Sequence, residues 1–348
     1  AWLCKKTKKS ILKLTDEDYN QNGMSDLLAQ YGSSYDLNIE MFNRLQHTIT
    51  GWPGGKPNAD DSNRPERKDP SKKRVIIFSP HPDDDVISMG GTFDRLVSQG
   101  HEVHVAYQTS GNIAVSDQDA LKFIEVNSDI MGSNNPKTVS DLKNAIQSIN
   151  TQKPAPKSIC DLKASIRKRE SLAATRYIGI PDSQVHFMNL SFYETGTIKK
   201  NPYSKKDIDE TISLIESIKP HQMFAAGDLS DPHGTHRVCL NIIFESLKLL
   251  KPNKFMNDCW VWLYRGAWHE WDIHEIEMAV PMSPDQVLRK RKAIFYHQSQ
   301  KDGVMFKGDD HREFWVRAEE RNANTAKDYK SLGLADYAAM EAFKRYFY

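Results

Sequence analysis

The sequence predicts an α/β fold in which a mostly parallel, Rossmann-like sheet carries helices on both faces. Residues 75–78 form an apolar, largely β-branched run that indicates a buried strand. The apolar-periodic stretch that follows this run ends at Gly100, a common helix-stop residue. Short apolar runs at 102–108, 184–188 and 222–226 are each followed by a helical pattern. Because strands that alternate with helices usually form parallel sheets, this order favours a sheet covered on both faces.

Later segments extend the same pattern. Residues 259–264 and 275–280 indicate two further strands. A helix is expected over 283–297, with a serine cap and a proline at its start. The charged tail, 311–348, is expected to be helical, and 112–160 is expected to be an insertion near the mouth of the site.

The first 73 residues do not share this alternation. Residues 11–14 are compatible with a lone strand, 16–31 with a short helix, and 38–49 with an amphipathic helix. The last third of this segment is rich in Gly, Pro, Asn, Asp and Arg, which is typical of a linker. We therefore divide the chain into a connector, 1–73, and a main domain, 74–348.

Composition excludes several classes of function. The chain has 348 residues, of which 39% are hydrophobic and 27% charged, with a net charge of +1. This balance gives no support for nucleic acid as a partner. No apolar run approaches the length of a membrane span, and no signal peptide is seen, although the sequence starts at Ala1. The four cysteines are not closely spaced, so free thiols and a cytoplasmic location are expected.

The densest cluster of chemically useful residues follows the first strand, in the run Pro-His-Pro-Asp-Asp-Asp at 80–85. It places His81, Asp83 and Asp84 at the carboxyl end of a strand, where ligands bind in open α/β sheets. Imidazole and carboxylate groups are both good zinc ligands, and a neighbouring carboxylate can serve as a base. Helix capping and turn rigidity are the alternative explanation. They account for one acidic residue but not for three beside a histidine.

A second polar loop, 227–236, follows the strand at 222–226 and carries His233 and His236. One of these histidines can complete a His/Asp/His site with His81 and Asp84. Three protein ligands with one open position are the usual arrangement of a catalytic zinc ion. A pair of surface histidines is the alternative, but the equivalent position at the same sheet edge favours the metal site.

These motifs resemble a known family. Residues 80–84, 90–92 and 232–236 are similar to the signature of the LmbE-like (PIG-L-like) zinc N-deacetylases, and the resemblance spans 74–300. It implies the LmbE-like deacetylase fold, a Zn²⁺ cofactor and hydrolysis of an N-acyl amide. By position it implies that zinc is held by three residues: His81, Asp84 and His236. It further implies that Asp83 is the general base and that His233 stabilises the oxyanion or assists proton transfer.

Two departures and two weaker matches accompany this resemblance. The first motif ends in Asp85 where the family usually has Glu, and 234–235 is Gly-Thr where the family usually has Pro-Asp. A basic stretch resembles the family helix whose arginine contacts substrate. Its spacing favours Arg167 over Arg169, with a solvated helix start as the alternative. His297 resembles a late family motif and is expected to contact substrate or simply to end a helix.

The first residues carry a second resemblance. Residues 11–19 and 51–56 are similar to the join in bacterial glucosamine-6-phosphate deaminase-like fusion proteins, which have an LmbE-like domain on the C-terminal side. This implies a fragment of a longer protein. It also suggests a small-molecule amino sugar of the N-acetylglucosamine type as the substrate, either free or as a 6-phosphate.

Three other functions stay open. The chain could be an accessory domain of a glucosamine-6-phosphate deaminase. It could instead be a non-catalytic module for sugar binding or assembly, in which the aromatic segment 260–264 forms a platform. A dinucleotide site is poorly supported, because no Gly-x-Gly-x-x-Gly follows the first strand. A homo-oligomer is compatible with the sequence.

Overall fold

The structure, a computed structural model, describes residues 1–57, 70–131, 136–147, 155–227, 234–267, 269–301 and 312–348. The helices are α1 (Trp2–Thr7), α2 (Asp16–Gln21), α3 (Ser25–Tyr31), α4 (Ser34–Thr48), α5 (Asp84–Ser98), α6 (Asp117–Met131), α7 (Pro136–Gln147), α8 (Lys157–Ile178), α9 (Lys205–Ile218), α10 (Thr235–Leu250), α11 (Pro284–Phe295), α12 (Gln298–Lys301) and α13 (Phe314–Ser331). The strands are β1 (Arg74–Ser79), β2 (Glu102–Tyr107), β3 (Val185–Phe187), β4 (Gln222–Ala226), β5 (Trp260–Tyr264), β6 (Met278–Met282) and β7 (Ala339–Tyr346).

These strands form a mostly parallel seven-stranded sheet in the order β3-β2-β1-β4-β5-β7-β6. The five strands from β3 to β5 in this order run parallel to one another, and β7 runs antiparallel to both β5 and β6. The predicted α/β fold with helices on both faces is confirmed. The strand order reverses between β1 and β4, and such a switch point opens a crevice at the carboxyl ends of the strands.

The C-terminal tail differs from its prediction. Helix α13 occupies its first part, but β7 is a strand inserted between β5 and β6. The first five residues of β7, Ala-Met-Glu-Ala-Phe, are all buried. Four of these five residues favour helices, but pairing on both edges and burial outweigh that local preference. The prediction of an entirely helical tail was therefore wrong.

The N-terminal segment also differs in detail. Residues 11–13 form a 3₁₀ turn rather than a strand, and the helix expected over 16–31 is split into α2 and α3. The amphipathic helix is confirmed as α4. Residues 1–57 pack on the main core, and the Thr48 hydroxyl lies 2.7 Å from the Tyr329 hydroxyl. This part of the predicted connector is thus a folded, helical cover for one face of the sheet.

Several other boundaries agree closely with the sequence. Strand β4 begins and ends where it was predicted, and β2, β3 and β5 differ by one or two residues. The expected insertion contains α6 and α7, which share a small apolar core with the first part of α8. No described helix combines the length and the apolar character that a membrane-crossing helix requires.

A buried carboxylate joins β7 to the middle of α5. The backbone of α5 departs from helical geometry at Met89, two residues before the first amide group that Glu341 contacts. The Glu341 carboxylate accepts hydrogen bonds from the Gly91 N–H at 2.9 Å and the Thr92 N–H at 2.6 Å. Lys290 Nζ donates to Glu341 at 2.7 Å. Both of these charged side chains are only 1% exposed.

Close packing explains the glycine pair in the middle of α5. A Cβ atom added at Gly91 would lie 2.1 Å from the Met282 sulfur, and one added at Gly90 would lie 3.0 Å from Cγ of Lys290. Strand β6 and helix α11 therefore approach α5 more closely than a side chain would allow. This contact holds the helix that begins with the motif residues at 84–85.

We expect Lys290→Met to lower the free energy of unfolding by about 3–5 kcal/mol, because it leaves the Glu341 carboxylate buried without its cation. The adjacent substitution Arg289→Met is the matched control. It removes an ion pair with Asp94 in which the arginine is 45% exposed, and we expect a loss below about 1 kcal/mol. Urea denaturation of both variants measures the difference. Equal losses would contradict the importance of the buried pair.

Two histidines accept hydrogen bonds at the start of β1. Lys73 N–H donates to His101 Nδ1 at 3.1 Å, and Arg74 N–H donates to His221 Nδ1 at 2.9 Å. Burial, followed by the nearby Lys73 charge, lowers the pKa of His101 to about 4. Burial, followed by the Arg74 charge, lowers the pKa of His221 to about 4. Both rings are therefore neutral acceptors at neutral pH.

This pair predicts loss of stability in mild acid. The folded-state pKa values lie below the usual value of 6.5, so the contribution of the neutral rings is complete above pH 6.5 and falls as the pH drops toward 4. After a discount for partial exposure, we expect a loss on the order of 2–4 kcal/mol for the pair. Thermal unfolding of wild type and of a His101→Gln/His221→Gln variant between pH 7 and pH 4 measures it. An unchanged slope in the variant would contradict the assignment.

Candidate active site

The loops after β1 and β4 meet at the switch point of the sheet. His81 lies in the loop between β1 and α5, and Asp84 is the first residue of α5. His236 is the second residue of α10, the helix that follows the loop after β4. The structure therefore brings together three residues from two distant segments, which the sequence predicts to be metal ligands.

The three side chains form a compact triangle of potential ligand atoms. Asp84 Oδ2 lies 3.1 Å from His81 Nδ1 and 3.1 Å from His236 Nε2, and the two ring nitrogens are 3.3 Å apart. Ligand atoms bound about 2.0–2.2 Å from a tetrahedral zinc ion lie about 3.3–3.6 Å from one another. A search of the described residues for three His, Cys, Asp or Glu side chains with ligand atoms within 4.8 Å of one another finds this cluster. The donor set and its spacing fit a divalent metal ion.

The electrostatic environment keeps the central carboxylate ionised. Burial by itself would raise the pKa of Asp84, but the charge of His236 and hydrogen bonds from His236 and His81 hold it well below its usual value. The His81 backbone N–H also donates to the same Oδ2 atom at 2.9 Å. An ionised carboxylate beside two imidazoles is the protonation state that a metal ion requires of its ligands.

Asp83 lies next to this triangle in the chain but makes different contacts. Its carboxylate is 6% exposed, and its Oδ1 atom is 3.1 Å from Arg167 Nη2. Burial raises the pKa of Asp83 to about 6, with the Arg167 charge opposing the shift and the Asp84 charge adding to it. Asp83 is therefore a buried carboxylate that contacts an arginine. Its raised pKa suits a group that exchanges protons near neutral pH.

Arg167 is placed behind Asp83. It is 1% exposed, and its Nη2 atom also donates to the Pro82 carbonyl at 2.7 Å. Its Nε atom has no hydrogen-bond partner within the described residues. Gly111 lies against the same guanidinium, because a Cβ atom there would lie 3.2 Å from Arg167 Nε and 2.9 Å from Pro82 Cδ. Arg167 thus contacts two residues of the first motif, and its contact with substrate stays a prediction.

His297 follows the end of α11 and is 1% exposed. Neither of its ring nitrogens has a hydrogen-bond partner among the residues that the structure describes. Burial, followed by the Arg167 charge, lowers the pKa of His297 to about 3. The ring is therefore neutral, and it lines a small cavity together with Asp83. His297 was predicted to contact substrate, and the predicted catalytic histidine, His233, falls outside the described residues.

Sequence reasoning missed the network below the first motif. Asp85 is completely buried and accepts a hydrogen bond from the Tyr107 hydroxyl at 2.9 Å. The Ser79 hydroxyl accepts from the Asp85 N–H at 3.0 Å and donates to the His81 carbonyl at 2.6 Å. Burial raises the pKa of Asp85 to about 7, against the hydrogen bond from Tyr107. Tyr107 lies at the end of β2, and β2 pairs with β1. This position could have indicated that Tyr107 contacts the motif that follows β1.

Two further contacts near the site carry no sequence signal that we can identify. The Tyr193 ring packs edge-on against the His81 ring, with centroids 6.0 Å apart. Glu170 accepts hydrogen bonds from the Ser299 N–H and hydroxyl, both at 2.7 Å. The second contact ties α8, which carries Arg167, to the segment that carries His297.

Comparison with known proteins gives a consistent result. Residues 76–247 match the PIG-L family, described as GlcNAc-PI de-N-acetylase. The chain is 54% identical over 355 residues to a glucosamine-6-phosphate deaminase-like protein of Bacteroides thetaiotaomicron. That match covers 99% of this chain but 54% of the relative, so the chain spans about half the length of this relative.

A solved structure shows the same fold. The N,N'-diacetylchitobiose deacetylase of Pyrococcus horikoshii superposes with a TM-score of 0.54 at 20% sequence identity. The match covers 88% of this chain and 92% of the deacetylase. The predicted resemblance, made from three short motifs, is confirmed. Residues 76–247 belong to the PIG-L (LmbE-like) family.

Proposed function

We propose that this chain is a metal-dependent hydrolase that removes the N-acetyl group from an amino sugar of the N-acetylglucosamine type. The observation that carries the proposal is the triangle of His81, Asp84 and His236 with Asp83 beside it. The family description and the activity named for the Pyrococcus horikoshii relative support the same reaction. The remaining steps assign a role to each side chain.

We assign the metal site to His81, Asp84 and His236, and Zn²⁺ as the ion. A zinc ion there would act as a Lewis acid toward the amide carbonyl and make water a nucleophile at neutral pH. Three protein ligands leave a position open for these partners. Ligands of this type also bind iron and cobalt, so the choice of zinc rests on the family and on general ligand chemistry.

Asp83 is assigned as the general base. It takes a proton from the attacking water while the water oxygen bonds to the amide carbon, and it returns that proton to the leaving nitrogen as the C–N bond breaks. Arg167 holds the carboxylate in place. A base must stay free of the metal, and adjacent carboxylates allow Asp84 to bind the ion while Asp83 moves the proton.

The remaining roles rest on the family resemblance. His233 is proposed to stabilise the oxygen of the tetrahedral intermediate or to protonate the leaving amine. Arg167 and His297 are proposed to contact substrate. For His297 the supporting observation is a buried ring with no partner among the described residues, lining a cavity beside Asp83.

The identity of the sugar is proposed from the longer relative. A deacetylase that acts on N-acetylglucosamine 6-phosphate would produce the substrate of a glucosamine-6-phosphate deaminase, the activity that the relative's name suggests. Free N-acetylglucosamine and short oligosaccharides fit the same chemistry. An accessory role beside a deaminase is the second candidate. It would require ammonia rather than acetate to be the product in the longer protein.

We place this activity in the cytoplasm. Cys4, Cys160 and Cys259 are free thiols in the structure, and Cys4 and Cys259 are buried. Persistent free thiols are typical of proteins from a reducing compartment.

Removing any one metal ligand should remove the metal. We expect about one equivalent of zinc in the wild-type protein, and less than a tenth of that in each of His81→Ala, Asp84→Ala and His236→Ala after dialysis. His274→Ala is the control, because this histidine is exposed and distant in sequence. Elemental analysis of purified protein measures the content. Full metal retention by the His236 variant would rule out the assigned ligand set.

Asp83→Asn should separate metal binding from catalysis. We expect it to keep its zinc and to lose about 10²–10⁴-fold in kcat, since the proton acceptor is gone. Asp182→Asn, at an exposed ion pair with Arg176, is the control and should be fully active. Acetate release from N-acetylglucosamine and from its 6-phosphate is the assay.

Two outcomes would contradict the proposed function. One is acetate release by the Asp83 variant at the wild-type rate, which would remove the base from the mechanism. The other is no acetate from either acetylated sugar with the zinc-loaded wild-type chain, while the longer protein releases ammonia from glucosamine 6-phosphate. That result would favour an accessory role beside a deaminase.

A further inference from the structure

A small cavity lies beside Asp83, on the side of the base that faces α11 and α13. Its walls include four apolar side chains: Ile87, Ile294, Phe314 and Trp315. The polar side chains of the lining are those of Asp83, His297, Gln300 and Lys301. The cavity is thus a mostly apolar recess that opens onto the proposed general base.

The chemistry of amide hydrolysis brings the acyl group close to this recess. When water attacks the amide carbon, the base contacts the attacking oxygen. The two substituents of that carbon then lie only two bonds from the oxygen that Asp83 contacts. One substituent is the nitrogen, which carries the sugar. The other is the acyl chain, which is apolar, lies close to the base and is favoured by apolar walls.

The size of the recess sets a limit on the acyl chain. Its volume is about 10 Å³, which is room for about one water-sized group. Ile87 is 4% exposed and Ile294 is 5% exposed, and both belong to the same apolar core beneath the sheet. Because buried core side chains are closely packed, these walls have little freedom to move apart.

We propose that this recess receives the acyl group, and that Ile87 and Ile294 restrict the substrate to N-acetyl compounds. The assignment rests on the proposed function and names its acyl specificity. A methyl group fills the available space, whereas a propionyl or butyryl chain collides with the two isoleucines. The recess then selects the acyl group of the substrate, while the sugar lies outside the recess.

A series of N-acyl glucosamines with acetyl, propionyl and butyryl groups tests the proposal. For the wild type we expect kcat/KM to fall roughly 10–200-fold for each added methylene. Ile294→Ala enlarges the recess and should raise the butyryl-to-acetyl ratio of kcat/KM by at least about tenfold. Leu288→Ala is the matched control, because this residue lies on the same helix and is 46% exposed. It should leave the ratio unchanged.

Ile294→Val is the second variant, since the alanine change empties a core position and can impair folding. It should admit the propionyl compound while unfolding at close to the wild-type temperature. Equal wild-type rates for acetyl and butyryl compounds would overturn the acyl assignment alone. So would an unchanged butyryl-to-acetyl ratio in a folded Ile294 variant.

Failure of the proposed function would look different. Calorimetric titration of the Asp83→Asn protein with the same compounds measures binding without turnover. Tighter binding of the acetyl compound than of the butyryl compound supports the recess even if the wild type cleaves neither. Absence of both cleavage and binding for every compound would overturn the function and the recess together.

Discussion

The pairing of β1 with β4 is the constraint on which the site depends. Strand β1 has β2 on one side and β4 on the other, although 142 residues separate the end of β1 from the start of β4. This parallel register puts the loops after both strands at one edge of the sheet. His81 and His236, which are 155 positions apart, thereby come within 3.3 Å of each other around Asp84. Without this pairing, neither loop holds enough ligands for a metal ion.

Buried charges then fix helix α5, which carries the first motif. At its start, Arg167 and the Asp85–Tyr107 hydrogen bond hold the residues on either side of Asp84. At its middle, Glu341 accepts hydrogen bonds from two amide groups that follow the kink and is itself neutralised by Lys290. Because breaking a buried ion pair is costly, these contacts limit the movement of α5 relative to the sheet. The proposed base and ligand are therefore preorganised on a rigid element.

How much the sequence could predict depended on whether a feature was local. The order of strands and helices and the two motif loops were visible, because hydrophobic periodicity and turn residues are local signals. The strand β7 was not, because its Ala, Met and Glu residues favour a helix unless β5 and β6 flank it. The partner of Arg167 was equally hidden. Its contact with Asp83 joins residues 84 positions apart and depends on how α8 packs.

The measurement that tests the central claim most directly is anomalous diffraction at the zinc absorption edge from crystals of the purified chain. We expect one strong peak about 2.0–2.2 Å from His81 Nδ1, Asp84 Oδ2 and His236 Nε2. We also expect Asp83 to lie near the peak without binding the ion. A crystal grown with zinc that shows no peak at this triangle, or shows Asp83 as a ligand in place of Asp84, would contradict the assigned metal site.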